Sequence, residues 1–245
     1  MISMIDIYDT HNHLLPGVDD GPSELIESIK ICEIAGNQNT KSIIVTPHRK
    51  DVTENLSVHA IEHLTSEINE ILRLSGVEVE IKLGMENHID LDLIRDIEDG
   101  KALTLNNSKY ILIEMPWEGR PPYIEEVVSN LLRIGLIPVL AHPERMSIFE
   151  NERNFLFELV KMGCKSQITA GSLYGKFGSK AQKNSISMMT QNLVHIVASD
   201  THMADGKRSY DLDRGLIRAE DIVGKDTAVK MLSVNPLAIL ENRIM

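Results

Sequence analysis

Short apolar runs alternate with helix-period segments along this chain, and that alternation restricts the fold more than any other feature. Seven β-type runs can be read: 5–9 (IDIYD), 42–46 (SIIVT), 79–83 (VEIKL), 110–114 (YILIE), 137–141 (IPVLA), 165–169 (KSQIT) and 194–199 (VHIVAS). Several are almost entirely apolar, as strands covered on both faces must be. Segments of helical period come after them at 23–35, 58–74, 89–99, 122–134, 152–162, 179–192 and 211–223. A further helix is expected at 225–233, and then one with Asn235 as its N-cap and Pro236 in its first position. Ser57 has the chemistry of an N-cap, and Gly76, Gly100, Gly135, Gly163 and Gly224 stand at helix ends. Strand–helix alternation means parallel strands with right-handed crossovers. Seven such units predict an α/β fold closed as a (β/α)7 TIM-like barrel, with an open doubly wound sheet as the alternative. No linker interrupts the pattern, so 1–245 reads as a single domain.

At 245 residues and 42% hydrophobic content, the chain can build one sizeable core. Its longest apolar runs are too short to span a bilayer, and no signal peptide is evident, which predicts a cytoplasmic protein that is not membrane-inserted. Two cysteines, Cys32 and Cys164, fit a reducing compartment and read as packing residues. The positions six residues after them hold Gln38 and Ala170, so neither has the Arg of a cysteine phosphatase. A net charge of −11 argues against nucleic acid as a partner but leaves room for an anionic substrate, because bound cations invert a local field.

The C-terminal ends of the β-type runs carry the residues that point to chemistry. His11, His13 and Asp20 come after the first, His48 and Arg49 after the second, and Glu86 after the third. Glu114 ends the fourth, His142 and Arg145 come after the fifth, and Asp200 and His202 after the seventh. In a barrel of parallel strands these positions share the C-terminal face, where active sites form. Five His, two Glu and two Asp at one end predict a metal site, and nine ligands exceed what one ion needs. Mixed imidazole and carboxylate favours Zn, Mn or Fe over Ca or Mg. Arg145 is placed to grip a phosphate bidentately or, failing that, to pair with Glu144 or another acid. Lys207 and Arg208, on the last loop, are the further candidates for phosphate contact.

The motifs H11-N-H13, V18-D-D-G-P22, T46-P-H48, G84-x-E86, L112-I-E114, A141-H-P-E-R145 and A198-S-D-x-H202 resemble the polymerase and histidinol phosphatase (PHP) family. The likeness is greatest to its bacterial tyrosine-protein phosphatase branch of the CpsB/CapC type. It extends through T104-L-N-N-S-K-Y-I-L-I-E114, Q167-I-T-A-G-S172 and N235-P-L-A-I-L240. This resemblance implies a distorted (β/α)7 barrel and a centre of two or three divalent ions, manganese first, with iron or zinc as alternatives. Its ligands would be His11, His13, Asp20, His48, Glu86, Glu114, His142, Asp200 and His202. The implied substrate is phosphotyrosine on the tail of a bacterial tyrosine kinase controlling capsule or exopolysaccharide synthesis. Hydrolysis would proceed by in-line attack of a metal-bridging hydroxide, with Glu86 bridging two ions.

A small-molecule phosphatase, such as one acting on histidinol phosphate, is the main alternative. An amidohydrolase lacks support because strand 4 ends in Glu114 without a bridging Lys, and a non-catalytic scaffold lacks it because no ligand is missing. His59, Glu62 and His63 match a zinc-peptidase pattern but read as a solvated helix face. Arg49 reads as a solvated side chain, His88 as a loop residue and His195 as a packed strand residue. Trp117 and Tyr123 are candidates for packing on a substrate ring, and Gly171, Ser172 and Gly175 for a mobile lid. Oligomeric state is open.

Overall fold

All strand pairings in the computed structural model are parallel, and they form two sheets that run in chain order. Residues 5–152 and 154–245 are described. One sheet holds β1 (Ile7–Asn12), β2 (Thr40–Val45) and β3 (Glu80–Leu83). The other holds β4 (Glu86–His88), β5 (Tyr110–Glu114), β6 (Ile137–Ala141), β7 (Lys165–Thr169) and β8 (Ile196–Ala198). Single parallel bridges, Asn12 to Thr201 and His48 to Glu86, link their edges. The helices are α1 (Leu25–Asn37), α2 (Arg49–Asn55), α3 (Val58–Ser75), α4 (Leu93–Glu98), α5 (Ile124–Arg133) and α6 (Ser147–Asn151). They continue with α7 (Phe155–Met162), α8 (Ser179–Thr190), α9 (Leu212–Val223), α10 (Lys225–Val229) and α11 (Asn235–Leu240).

Strand parity divides the core. Ile43, Ile111, Ile113, Leu140 and Val197 pack in the main cluster with helical residues such as Ile31, Ile68 and Leu131. The alternate residues Ile44, Tyr110, Leu112, Val139, Ala141, Ile196 and Ala198 form a second cluster with Ile239 of α11. A period of two sorts side chains this way on any strand. The chain end closes this second cluster at the N-terminal ends of the strands. Tyr110 Oη donates to the Arg243 carbonyl and accepts from Met245 N–H. The opposite, C-terminal ends are left to polar side chains.

Several expectations need correction. The third run stops at Leu83, and an eighth strand, β4, begins after Gly84 and Met85 and joins the other sheet. A Cβ on Gly84 would lie 3.0 Å from both Ile44 and Leu105, so a side chain there would require both neighbours to give by a few tenths of an ångström. β1 runs on through His11 and Asn12, so its first histidine lies on the strand itself. Asn235 is no N-cap: its φ of −71° and ψ of −45° are helical, and α11 continues α10 through a π-turn over Lys230–Val234. Pro236 has no N–H to return to the preceding turn, and the wider turn accommodates that loss. His195 precedes β8 and is only partly buried, with Nδ1 accepting from Ser166 N–H at 3.2 Å. Ser57 caps α3 as expected, accepting from Ala60 N–H.

Candidate metal centre

The structure brings all nine expected ligands to the C-terminal ends of the strands. Glu86 is at the middle. Its Oε2 lies 3.3 Å from His11 Nε2, 3.3 Å from His13 Nε2 and 3.2 Å from His48 Nδ1. Its Oε1 lies 3.0 Å from His142 Nε2. Glu114 approaches His142 at 3.6 Å. Asp200 lies 3.6 Å from His11 and 3.7 Å from His13. Asp20, more than half exposed, reaches His202 Nε2 at 3.0 Å and His48 Nε2 at 3.5 Å.

Two of these residues are aimed by their backbone. His142, at φ 31°, and Asp200, at φ 52°, occupy the left-handed region without being glycine. Such a conformation costs on the order of 1–3 kcal/mol and persists where surrounding structure enforces it. Around Asp200 the enforcing residue is the buried Asp9, which accepts from the N–H and Oγ–H of Ser199 and from Asn12 Nδ2.

The proton inventory fits a group of cations. His13 Nδ1 is 2.7 Å from Asp19 Oδ2 and His202 Nδ1 is 3.0 Å from the Asp200 carbonyl, while His11 Nδ1 accepts from Gln167 Nε2 at 2.7 Å. An imidazole that keeps its proton on the outer nitrogen presents a lone pair with the inner one. The inner Nε2 of His13 then faces His11 Nε2 at 3.0 Å. His48 Nδ1 and His202 Nε2 lie beside carboxylate oxygens at 3.2 and 3.0 Å without hydrogen-bond alignment, and buried His142 Nδ1 has no hydrogen-bond partner. Burial would raise the Glu86 carboxyl, but the surrounding imidazoles of His11, His13 and His142 hold it well below the usual range. Burial, with the ionised Glu86 beside it, pushes Glu114 up to about 8. Lone pairs and carboxylates crowded in this way call for positive charge between them, and mixed N/O donors suit divalent transition ions. Among the described residues, four overlapping groups bring ligand atoms within 4.8 Å of one another: His13 with Asp20, His48 and His202; His11 with Glu86 and His142; His11 with His13 and Asp200; and His48 with His88 and Glu114.

His88, Asp19 and Gln167 are additions that the motif reading missed. His88 Nε2 lies 3.1 Å from Glu114 Oε2, on the same face of β4 as Glu86 two residues earlier. Asp19 Oδ2 also accepts from His48 N–H at 3.1 Å, so one carboxylate orients two ligands. Gln167 is braced by Thr10 Oγ1 at 2.7 Å. Replacing Asp19 with Asn should keep the fold and weaken Mn²⁺ binding about ten- to a hundredfold. Calorimetric titration of chelator-treated protein measures this, and an unchanged affinity would show that His13 needs no carboxylate behind it.

Arg145 and Arg208 stand on the rim. Arg145 pairs with Asp200, not with Glu144, and its guanidinium lies over Phe177 and Trp117. Glu144 turns inward to accept from Thr169 N–H and Ser172 Oγ–H. Arg208 pairs with Asp20 at 2.7 Å and approaches Asp200 at 3.5 Å. Both arginines line a cleft of about 380 Å³ that also holds Trp117, Glu86, His142 and Asp200. Lys207 lines the adjoining groove instead. Trp117 is half exposed and stacks on His142 at 5.6 Å.

The remaining signals fall elsewhere. Arg49 is buried, not solvated, and donates to Asp90, Asp96 and the His88 carbonyl. Tyr123 packs on the main core. The 170–174 turn is buried and tied down through Ser172, so it does not form a mobile lid. His59 is exposed beside Glu62. Among the described residues, no helix is long and apolar enough to cross a membrane.

The family model for capsular polysaccharide synthesis, CpsB/CapC, matches residues 7–241. The tyrosine-protein phosphatase YwqE of Bacillus subtilis (strain 168) is 34% identical over 240 residues, 98% of this chain and 92% of that protein. The tyrosine-protein phosphatase CpsB of Streptococcus agalactiae serotype V is 30% identical over 244 residues, 98% and 99% of the two chains. Among solved structures, one from a study of YwqE from Bacillus subtilis and CpsB from Streptococcus pneumoniae, described as unique metal-dependent tyrosine phosphatases, superposes with a TM-score of 0.90. It is 33% identical, and the match covers 98% of this chain and 96% of the other.

Proposed function

The chain belongs to the CpsB/CapC family, and from that premise we propose that it is a metal-dependent protein-tyrosine phosphatase. Its substrate in this reading is phosphotyrosine on a bacterial tyrosine kinase that governs capsule or exopolysaccharide synthesis, in the cytoplasm. In this reading the two parallel sheets, bridged at their edges, make one distorted (β/α)7-type barrel in which β3 and β4 together fill the place of the third strand, and the chain is one domain. The observation that carries the reading is a nine-ligand cluster at the floor of a cleft whose rim holds two arginines.

His11, His13, Asp20, His48, Glu86, Glu114, His142, Asp200 and His202 are proposed to hold two or three divalent ions, manganese first and iron or zinc as alternatives, with His88 beside them. Such ions supply a water nucleophile at neutral pH and neutralise charge on the phosphate oxygens. The protein's own part is positioning. Arg145 and Arg208 grip the non-bridging oxygens, where their planar forks match phosphate geometry. Asp200 and Asp20 hold those forks at the rim. Trp117, half exposed in the cleft lining, is the aromatic surface available to the tyrosyl ring. A phenol leaves readily, with a pKa of about 10, so the demand for acid assistance is modest.

The test is phosphate release with Mn²⁺ from a phosphotyrosine peptide, a phosphoserine peptide and histidinol phosphate, each with and without chelator. Release confined to phosphotyrosine and stopped by chelator is expected. Preference for histidinol phosphate would move the protein to small-molecule chemistry, and release that survives chelator would overturn the metal reading.

A further inference from the structure

The cleft does not end at Arg145. Trp117 and Arg145 form a wall shared with a second cavity of about 380 Å³. Glu150, Lys180 and Asn184 line both that cavity and a third of about 570 Å³. Together they make one groove that leaves the cleft past Arg145 and runs along α8. At 12 residues, α8 is roughly 18 Å long, the span of about five residues of extended polypeptide.

The charge along this groove departs from that of the chain. The whole protein has 36 Asp and Glu and a net charge of −11, yet α8 contains two lysines and no acid. Lys180 is paired with Glu150, while Lys183 and Lys207 are exposed with no carboxylate within 4.0 Å among the described residues. Of the groove's three acids, Glu150 is thus engaged, and Glu144 is buried and hydrogen-bonded to Thr169 and Ser172. Only Glu118 is left to oppose Lys183 and Lys207.

Resting on the phosphatase reading, we propose that this groove receives the polypeptide flanking the phosphotyrosine and selects carboxylate side chains on that flank. The track adjoins the cleft across Trp117 and Arg145 and matches a short extended segment in length. It offers cations without internal partners in a protein that otherwise repels acidic segments. Discrimination comes from binding and not from the chemical step, because the groove touches none of the reacting atoms.

The experiment compares equal-length phosphotyrosine peptides whose flanks carry Glu, Ala or Lys on one side or the other, with p-nitrophenyl phosphate as a substrate that has no flank. Wild-type protein loaded with Mn²⁺ is measured beside the double variant Lys180→Glu/Lys183→Glu, both positions being exposed on α8. Glutamates on one side should lower KM about three- to tenfold relative to lysines, with kcat unchanged, as two exposed ion pairs allow. The double variant should reverse that order and leave p-nitrophenyl phosphate hydrolysis untouched. Equal KM for all flanks, or an order the variant does not change, would overturn the groove proposal alone. Hydrolysis of no phosphotyrosine peptide would overturn the phosphatase reading and the groove with it.

Discussion

Glu86→Gln should empty the centre and stop the reaction while leaving the fold intact. The Glu86 carboxylate lies within 3.3 Å of four imidazoles, and it is buried. Glutamine keeps the shape and removes the charge. It also brings N–H donors to a place where the inner nitrogen of His13, backed by Asp19, offers a lone pair to a cation. Losing several kcal/mol of metal-derived transition-state stabilisation corresponds to about a thousandfold or more in kcat/KM. Metal per chain, read by plasma emission spectroscopy, should fall in step with activity. Thermal unfolding of the metal-free forms at neutral pH should stay cooperative with a lowered midpoint, because the imidazoles that hold the Glu86 carboxyl low also stabilise its charge in the fold. Full metal content in the variant would mean that Glu86 is a bystander and that His11, His13 and Asp200 suffice.

The site was largely legible in sequence for a topological reason. Parallel strands with helical crossovers deliver every post-strand segment to the same end, so a His or Asp after each strand meets the others whatever the helices do. That is why candidate ligands as distant as His11 and His202 could be grouped without coordinates. The features that stayed hidden depended on contacts the pattern does not encode. Arg49 is sequestered by Asp90 and Asp96, more than 40 residues on, and nothing local distinguishes it from a solvated arginine. His88 was passed over because β4 has three residues and comes after a break at Gly84–Met85, so no alternation announces it. Asp19 and Asp20 are adjacent and chemically identical. One backs His13 and the other faces His202, a division decided by the turn. The left-handed backbone at His142 and Asp200 has no glycine to mark it. The Asn235 cap failed because a π-turn lets a helix run through Asn-Pro, where the dipeptide alone reads as a start.

Arg145→Ala should lower kcat/KM about a hundredfold while metal content stays at the wild-type level, a loss comparable with removing one preorganised donor to a developing oxyanion. Arg145 is fixed by the Asp200 carboxylate and by the rings of Trp117 and Phe177, so its fork is already oriented when phosphate arrives. Arg208, more exposed and held by Asp20, is less constrained, and Arg208→Ala should cost about tenfold. A structural role for Arg145 would leave inhibition by inorganic phosphate unchanged; a phosphate-gripping role requires that its inhibition constant rise together with the loss in turnover. Arg145→Lys separates charge from fork. It restores the positive charge but not two parallel N–H donors, so recovery should be partial. The two arginines flank one anion and both contact Asp200, so the double variant should lose less than the product of the single losses. Unchanged kinetics in Arg145→Ala would transfer the phosphate grip to Arg208 alone and leave Arg145 as the wall between cleft and groove.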